Sequence, residues 1–207
     1  MPYGFLDIAS TPAVRAVQAE MGSDRHWQDF PGDRRFDAFT PDEIAFIARR
    51  DSFYMATVSE TDWPYVQHRG GPAGFLKVVD ARTLAFVDYR GNRQYLSVGN
   101  LSADDRASLI LMDYAGRARL KIFARVEVVA LDADPALAAL VADPAYRGKP
   151  ERILRLHLVA FDWNCPQHIT PRFTEAEIAA GVQPLRDRLM ALEAENAALR
   201  ARLAAAA

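Results

Sequence analysis

Between residues 117 and 128 the side chains alternate with a period of two. Ala118, Leu120, Ile122, Ala124, Val126 and Val128 point one way, and Arg117, Arg119, Lys121, Arg125 and Glu127 point the other. Only an extended strand sends successive side chains to opposite faces, so this segment reads as a strand with one core face and one polar face. A single strand is not stable, and the sequence supplies partners. Residues 53–59, 65–70, 75–80, 84–89, 107–114 and 153–163 are short apolar or alternating runs separated by turn residues, and the last carries Leu154, Leu156 and Leu158 on its core face. Short strands without long intervening helices predict a mainly β protein, an antiparallel barrel or sandwich with flanking helices.

The helices are marked by their ends. Ser10 and Thr11 before Pro12, with Gly22 beyond, predict an opening helix. Thr40, Pro41 and Glu43 form a capping box, and Phe39 with Ile44 a hydrophobic staple, for a second helix that Asp51 ends. Residues 93–99 have room for a short helix, and 135–142 for another. The expected division is a helical segment over 1–52 that packs on the barrel, a barrel over 53–173 and a C-terminal helix over 174–207.

The 207 residues carry 25 Lys and Arg against 27 Asp and Glu, a net charge of −2, which argues against nucleic acid as partner. No apolar run is long enough to cross a bilayer, and the opening MPYGFLDIAS has no signal-peptide pattern. Cys165 is the only cysteine and reads as an inert thiol, so a cytoplasmic protein is expected. His157, Cys165 and His168 lack a fourth ligand and close pairing, so no metal site is expected. Walker, HExxH, GxSxG and GxGxxG signatures are absent.

Residues 86–94, Phe-Val-Asp-Tyr-Arg-Gly-Asn-Arg-Gln, run a strand into a glycine turn and a short helix. Arg93 can offer parallel N–H donors to phosphate oxygens, Asn92 and Gln94 can add neutral donors, and a helix start adds backbone N–H groups. Alone, this could equally be a solvated turn. Gln67, His68 and Arg69 end the preceding hairpin strand, while Arg119 and Lys121 lie on the polar face of the alternating strand. Such donors suit the acceptor edge of an isoalloxazine ring, although a plain solvated face has the same composition.

On these residues the chain resembles the pyridoxamine 5′-phosphate oxidase-like family of split barrels that bind flavin mononucleotide (FMN). The resemblance covers 53–129, with weaker support at 11–50 and 161–173. It implies that Gln67, His68 and Arg69 lie along the flavin ring, and that Val87 and Asp88, the next matching strand end, belong to the cofactor site. Asn92, Arg93 and Gln94 would hold its phosphate, with Arg93-Gln94 standing where the family has Arg-Lys. Arg119 would give a polar contact, and Gln167 lies in a closing segment, residues 163–168. It further implies a homodimer with flavin sites at the interface, each completed by the other chain. The Arg-x-His substrate-phosphate motif is not found near the C-terminus, so vitamin B6 phosphates are not the expected substrate. The expected function is that of an FMN-dependent oxidoreductase acting on an unidentified small molecule. The alternatives are a flavin-binding or sensing protein without catalysis, and a deazaflavin-dependent reductase. No catalytic residue is assigned; His68 is the nearest candidate for proton delivery.

In the C-terminal helix Leu185, Leu192 and Leu199 occupy d positions of a heptad, and Leu189, Asn196 and Leu203 occupy a. Arg188 and Glu195 fall at g, Glu193 and Arg200 at e. Parallel partners would pair Arg188 with Glu193 and Glu195 with Arg200, whereas an antiparallel pair centred on Asn196 would oppose like charges. A zipper tethered to an already dimeric body is expected, the alternative being a helix lying on its own barrel.

Overall fold

The computed structural model describes residues 4–27 and 36–206. The parts of the expected segments that fall on residues 1–3, 28–35 and 207 lie outside the described residues. The chain divides into two compact units, one of Met1–Asp113 with Arg117–Gln167, the other of Tyr114–Gly116 with His168–Ala207.

The first unit is a seven-stranded antiparallel sheet. Its strands are β1 (Ser52–Val58), β2 (Pro64–Gly70), β3 (Lys77–Asp80), β4 (Thr83–Tyr89), β5 (Arg106–Asp113), β6 (Ala118–Val129) and β7 (Pro150–Trp163). In space they run β2-β1-β5-β6-β7-β4-β3. The helices are α1 (Gly4–Ala9), α2 (Pro12–Glu20), α3 (Pro41–Ala48), α4 (Leu96–Ala103) and α5 (Pro135–Val141), with a 3-10 turn at Asp24–Trp27. The sequence reading did not anticipate α1, whose Phe5 stacks on Phe123 with ring centroids 4.2 Å apart.

The alternation in β6 behaves as read up to Val126: Leu120, Ile122, Ala124 and Val126 are buried. It fails at the end, where Val128 is 41% exposed and Val129 is buried instead. Val129 joins a second core cluster with Ala85, Val87, Leu137, Val141 and Ile153, covered by α5, so the strand end answers to a different core. The main cluster fills the inside of the sheet, from Phe53 and Met55 on β1 to Leu154 and Leu156 on β7.

The sheet curls. β2 lies at one end of the strand order and β4 next to the other. Yet the ring of Phe53 on β1 meets that of Phe86 on β4 edge-on at 5.3 Å. Arg69 of β2 also reaches Asp88 of β4 at 2.5 Å. β3 pairs with β4 only through Lys77, Val78 and Asp80. The last residues of β4 therefore face β2 without a ladder between them, and side chains close the barrel. This is the split of a split barrel.

Capping chemistry fixes the flanking helices. In α3 the Thr40 box is present, and Glu43, 4% exposed, also accepts the Trp163 indole N–H at 2.6 Å, tying α3 to β7. Phe39 is buried against Phe161, while Ile44 stays exposed. Gly74 has φ +75°, and a Cβ there would stand 2.9 Å from the Ala48 carbonyl oxygen, so the β2–β3 loop, where it passes the end of α3, accepts only glycine at this position.

The second unit carries α6 (Glu175–Ala205), capped by Thr174 and Glu177. No helix among the described residues is long and apolar enough to cross a membrane.

Candidate functional site

β2 presents two chemically different faces. Its ladder with β1 sets Arg69 opposite Phe53, Gln67 opposite Met55 and Tyr65 opposite Thr57. Cross-strand partners share a face, and all three β1 residues are buried, so Tyr65, Gln67 and Arg69 point inward. His68 pairs with Tyr54 and points outward, its ring edge-on to Tyr54 at 5.5 Å.

The inward residues meet the end of β4 across the seam. Asp88, 6% exposed, takes Arg69 on one oxygen at 2.5 Å and faces Arg152 of β7 at 3.7 Å on the other. Arg152 continues to Glu151 at 3.1 Å. Glu151 also accepts from Arg90 at 2.7 Å and from the Tyr95 hydroxyl at 3.2 Å. The Arg90 hydrogen bond, with help from Tyr95 and Arg152, holds the Glu151 carboxyl below its ordinary pKa, and the same contact raises Arg90. Gln67 is fixed by Ser97, 1% exposed, whose hydroxyl donates to its side-chain oxygen at 2.8 Å.

Above this network the chain leaves β4, and the turn differs from a glycine-driven one. Gly91 has no positive φ and open space where a Cβ would stand. The left-handed residues are Arg93 at φ 63° and Tyr95 at φ 53°. Conformations of this kind cost an L residue about 1–2 kcal/mol and persist where surrounding contacts impose them. Asn92 supplies one such contact by accepting the Gln94 N–H at 3.1 Å. Tyr95 is also the N-cap of α4, which therefore starts three residues later than the earliest start the sequence allowed. Side chains of Thr11, Thr40, Asp134 and Thr174 cap α2, α3, α5 and α6. No side chain caps α4, so its first-turn N–H donors stay open. Asn100, bonded to Thr57 at 3.0 Å, and the buried Leu101 seat α4 on β1 and the core.

These parts enclose a cavity of about 200 Å³ walled by Gln67, Arg69, Asp88, Asn92, Arg93 and Gln94, with Tyr95, Ser97 and Glu151. Six residues of the expected set thus come together. Four do not. His68 and Arg119 lie on the outward face of the sheet, Arg119 opposite Met112 of β5. Val87 is buried in the second cluster behind β4, and Gln167 is exposed beyond β7. A one-residue offset along a strand puts a neighbour on the other side, and this separates His68 from Gln67 and Val87 from Asp88.

Arg90, Tyr95, Ser97, Glu151 and Arg152 were missed. Arg152 is set directly opposite Asp88 by the β4–β7 ladder, a register that the sequence alone does not give. Ser97 carried no signal. The chain's one Arg-x-His triplet, Arg155-Leu156-His157, lies inside β7. There Arg155 is engaged by Glu127 and Asp134, away from this cavity.

In the cavity wall Arg69 and Arg93 stand against Asp88 and Glu151, two cations against two anions. Arg90 and Arg152, which do not line the cavity, pair with those carboxylates from behind, so Arg93 is left without a counter-charge. Two donors wait for a partner: the exposed Arg93 guanidinium, and Arg69 Nε, which is buried with no hydrogen bond among the described residues.

A family model described as pyridoxamine 5′-phosphate oxidase matches residues 39–158, from the start of α3 into β7. HupZ of Group A Streptococcus matches with a TM-score of 0.50 at 13% identity, over 65% of this chain and 99% of that one. A second HupZ structure, that of a single-residue variant, gives 0.50 at 13% identity, over 60% and 98%. A candidate pyridoxamine 5′-phosphate oxidase of Lactobacillus delbrueckii gives 0.48 at 18% identity, over 61% and 94%. No curated protein matches the sequence.

Proposed function

The chain belongs to the pyridoxamine 5′-phosphate oxidase family, and we propose that its seam cavity holds the phosphate end of FMN in an oxidoreductase acting on a small molecule. The observation that carries this reading is the conjunction, in one cavity, of an exposed Arg93 with no ion pair among the described residues and an unpartnered buried donor on Arg69, while both carboxylates of the wall are already neutralised by arginines. A phosphomonoester brings close to two negative charges and several acceptor oxygens. An unpaired buried donor costs about 1–3 kcal/mol until something accepts from it. Arg93 and the open N–H groups of α4 would take the phosphate, Gln67 with Ser97 would set the approach, and Arg69 would supply its free N–H. The residues present fit the group.

The cavity is smaller than the roughly 300–1,000 Å³ of an ordinary ligand pocket, so one chain encloses only part of a nucleotide. The remainder would lie outside it, against a second copy in a homodimer. His68 and Arg119, which face outward on their own barrel, would reach a flavin ring only from that partner. The flavin, when bound, would carry the hydride or electrons. The chain's own residues bind, orient and neutralise charge. A second reading, flavin binding without catalysis, is favoured by one observation: both carboxylates at the cavity are already held by arginines.

Purified protein should be yellow, and mass spectrometry of the released cofactor should give FMN rather than a deazaflavin. Bleaching by a reduced nicotinamide, with recovery on adding an electron acceptor, supports the enzyme; colour without bleaching supports the binding protein. Failure to retain any flavin after reconstitution would rule out both.

A further inference from the structure

α6 buries none of its residues. Leu185, Leu189, Leu192, Leu199 and Leu203 are between 43% and 72% exposed, a leucine seam at a and d positions interrupted only by Asn196. We propose that this seam pairs in parallel with α6 of a second copy of the chain, as a two-stranded coiled coil over residues 185–203.

The choice of occupant rests on where the charges are. Between 185 and 205 the charged residues are Arg186, Asp187, Arg188, Glu193, Glu195, Arg200 and Arg202, and all but Asp187 fall at e or g. The positions facing away from the seam hold Asp187, Met190 and otherwise alanine. A helix whose charges only served solvation would carry them on that outer side. Nor do the e and g charges serve their own helix. Arg188, Glu193, Glu195 and Arg200 have no opposite charge three or four residues away in either direction, so no intrahelical pair neutralises them. In a parallel pair each meets an opposite charge, Arg188 with Glu193 and Glu195 with Arg200, on both sides of the seam. Centred on Asn196, an antiparallel pair would set Glu195 against Glu195 and Arg188 against Arg202. Asn196 at an a position meets its own copy in the parallel arrangement, where a buried asparagine specifies two strands and one register. Pro184, inside α6, lacks the N–H for a helical bond, so the paired segment begins after it.

Fewer than three heptads are marginal alone, so this pairing rests on the barrel homodimer of the reading above, which raises the local concentration of the two helices. The test uses the full chain with Cys165→Ser, carrying either Leu192→Cys at a d position or Ala191→Cys on the outer side, with oxidised glutathione as oxidant. Leu192 is not part of either core cluster, so its replacement leaves the barrel intact. The cysteine at 192 should cross-link about a hundredfold faster than that at 191, and adding Glu193→Arg with Glu195→Arg should abolish the difference. A second variant, Arg188→Glu with Arg200→Glu, mixed with that basic one should restore cross-linking between unlike chains. A dimer by light scattering in which 192 and 191 react alike overturns the zipper and leaves the barrel dimer standing. Monomer mass overturns both.

Discussion

The seam cavity and the C-terminal helix are both rich in charge, but they treat it in opposite ways. At the cavity Arg69, Asp88, Arg152, Glu151 and Arg90 form a continuous chain of contacts within one molecule, and of the two arginines in the cavity wall only Arg93 is left without an ion pair among the described residues. In α6 the charges flanking the leucine seam have no partner on their own helix. Charges satisfied inside a chain hold its fold; charges left idle in a regular pattern point to another molecule. The cavity therefore reads as a prepared site with one open hand, and the helix as half of an interface.

This contrast breaks most sharply at Asp88. Asp88→Ala leaves Arg69 and Arg152 beside a buried void and should cost about 3 kcal/mol in urea unfolding. Stability within error of the parent would mean that the seam is not held by that contact. Arg93→Ala should do the reverse, leaving stability within about 0.5 kcal/mol. Flavin affinity should fall about tenfold or more, as expected for losing a charge-assisted hydrogen bond, read by fluorescence titration. Unchanged affinity would put the phosphate elsewhere. Ser97→Ala removes the hydroxyl that Gln67 accepts from and should cost about 1 kcal/mol, seen as a lower unfolding midpoint.

The smallest effect is expected where a pair is satisfied at the surface. Hydrogen bonds from the Arg106 side chain and backbone N–H lower the Asp104 pKa from 3.8 to about 2. The folded value lies below the unfolded one, so any stability from this pair is present above about pH 4 and is lost as pH falls toward 2. Arg106→Ala should move the Asp104 titration part of the way back, measured by carboxyl NMR, with little change in unfolding.

Much of the barrel was legible because period and turn chemistry are local. The β6 alternation, the Thr40 box and the Pro135 helix start are each written within a few residues. The site was legible only in part because its geometry is not local. Gln67, Arg69, Asn92 and Arg93 could be named, yet Arg69 and Asp88 meet only when the two ends of a seven-strand order curl together. Which face a strand residue takes depends on register, and that sent His68 and Arg119 outward. The start of α4 was misjudged because Arg93 and Tyr95 adopt left-handed backbone that composition does not announce.

The barrel's last joint is made by an ion pair rather than by amide hydrogen bonds. A closed barrel has its bore set by strand number and shear, and changing it means rebuilding the ladder. Here the joint between β2 and β4 lies in side chains along the seam, outside every strand ladder. The fold thus keeps its strand ladders apart from the joint that bounds the cavity, and a substitution at Arg69 or Asp88 acts on the cavity wall and on the closure of the barrel together.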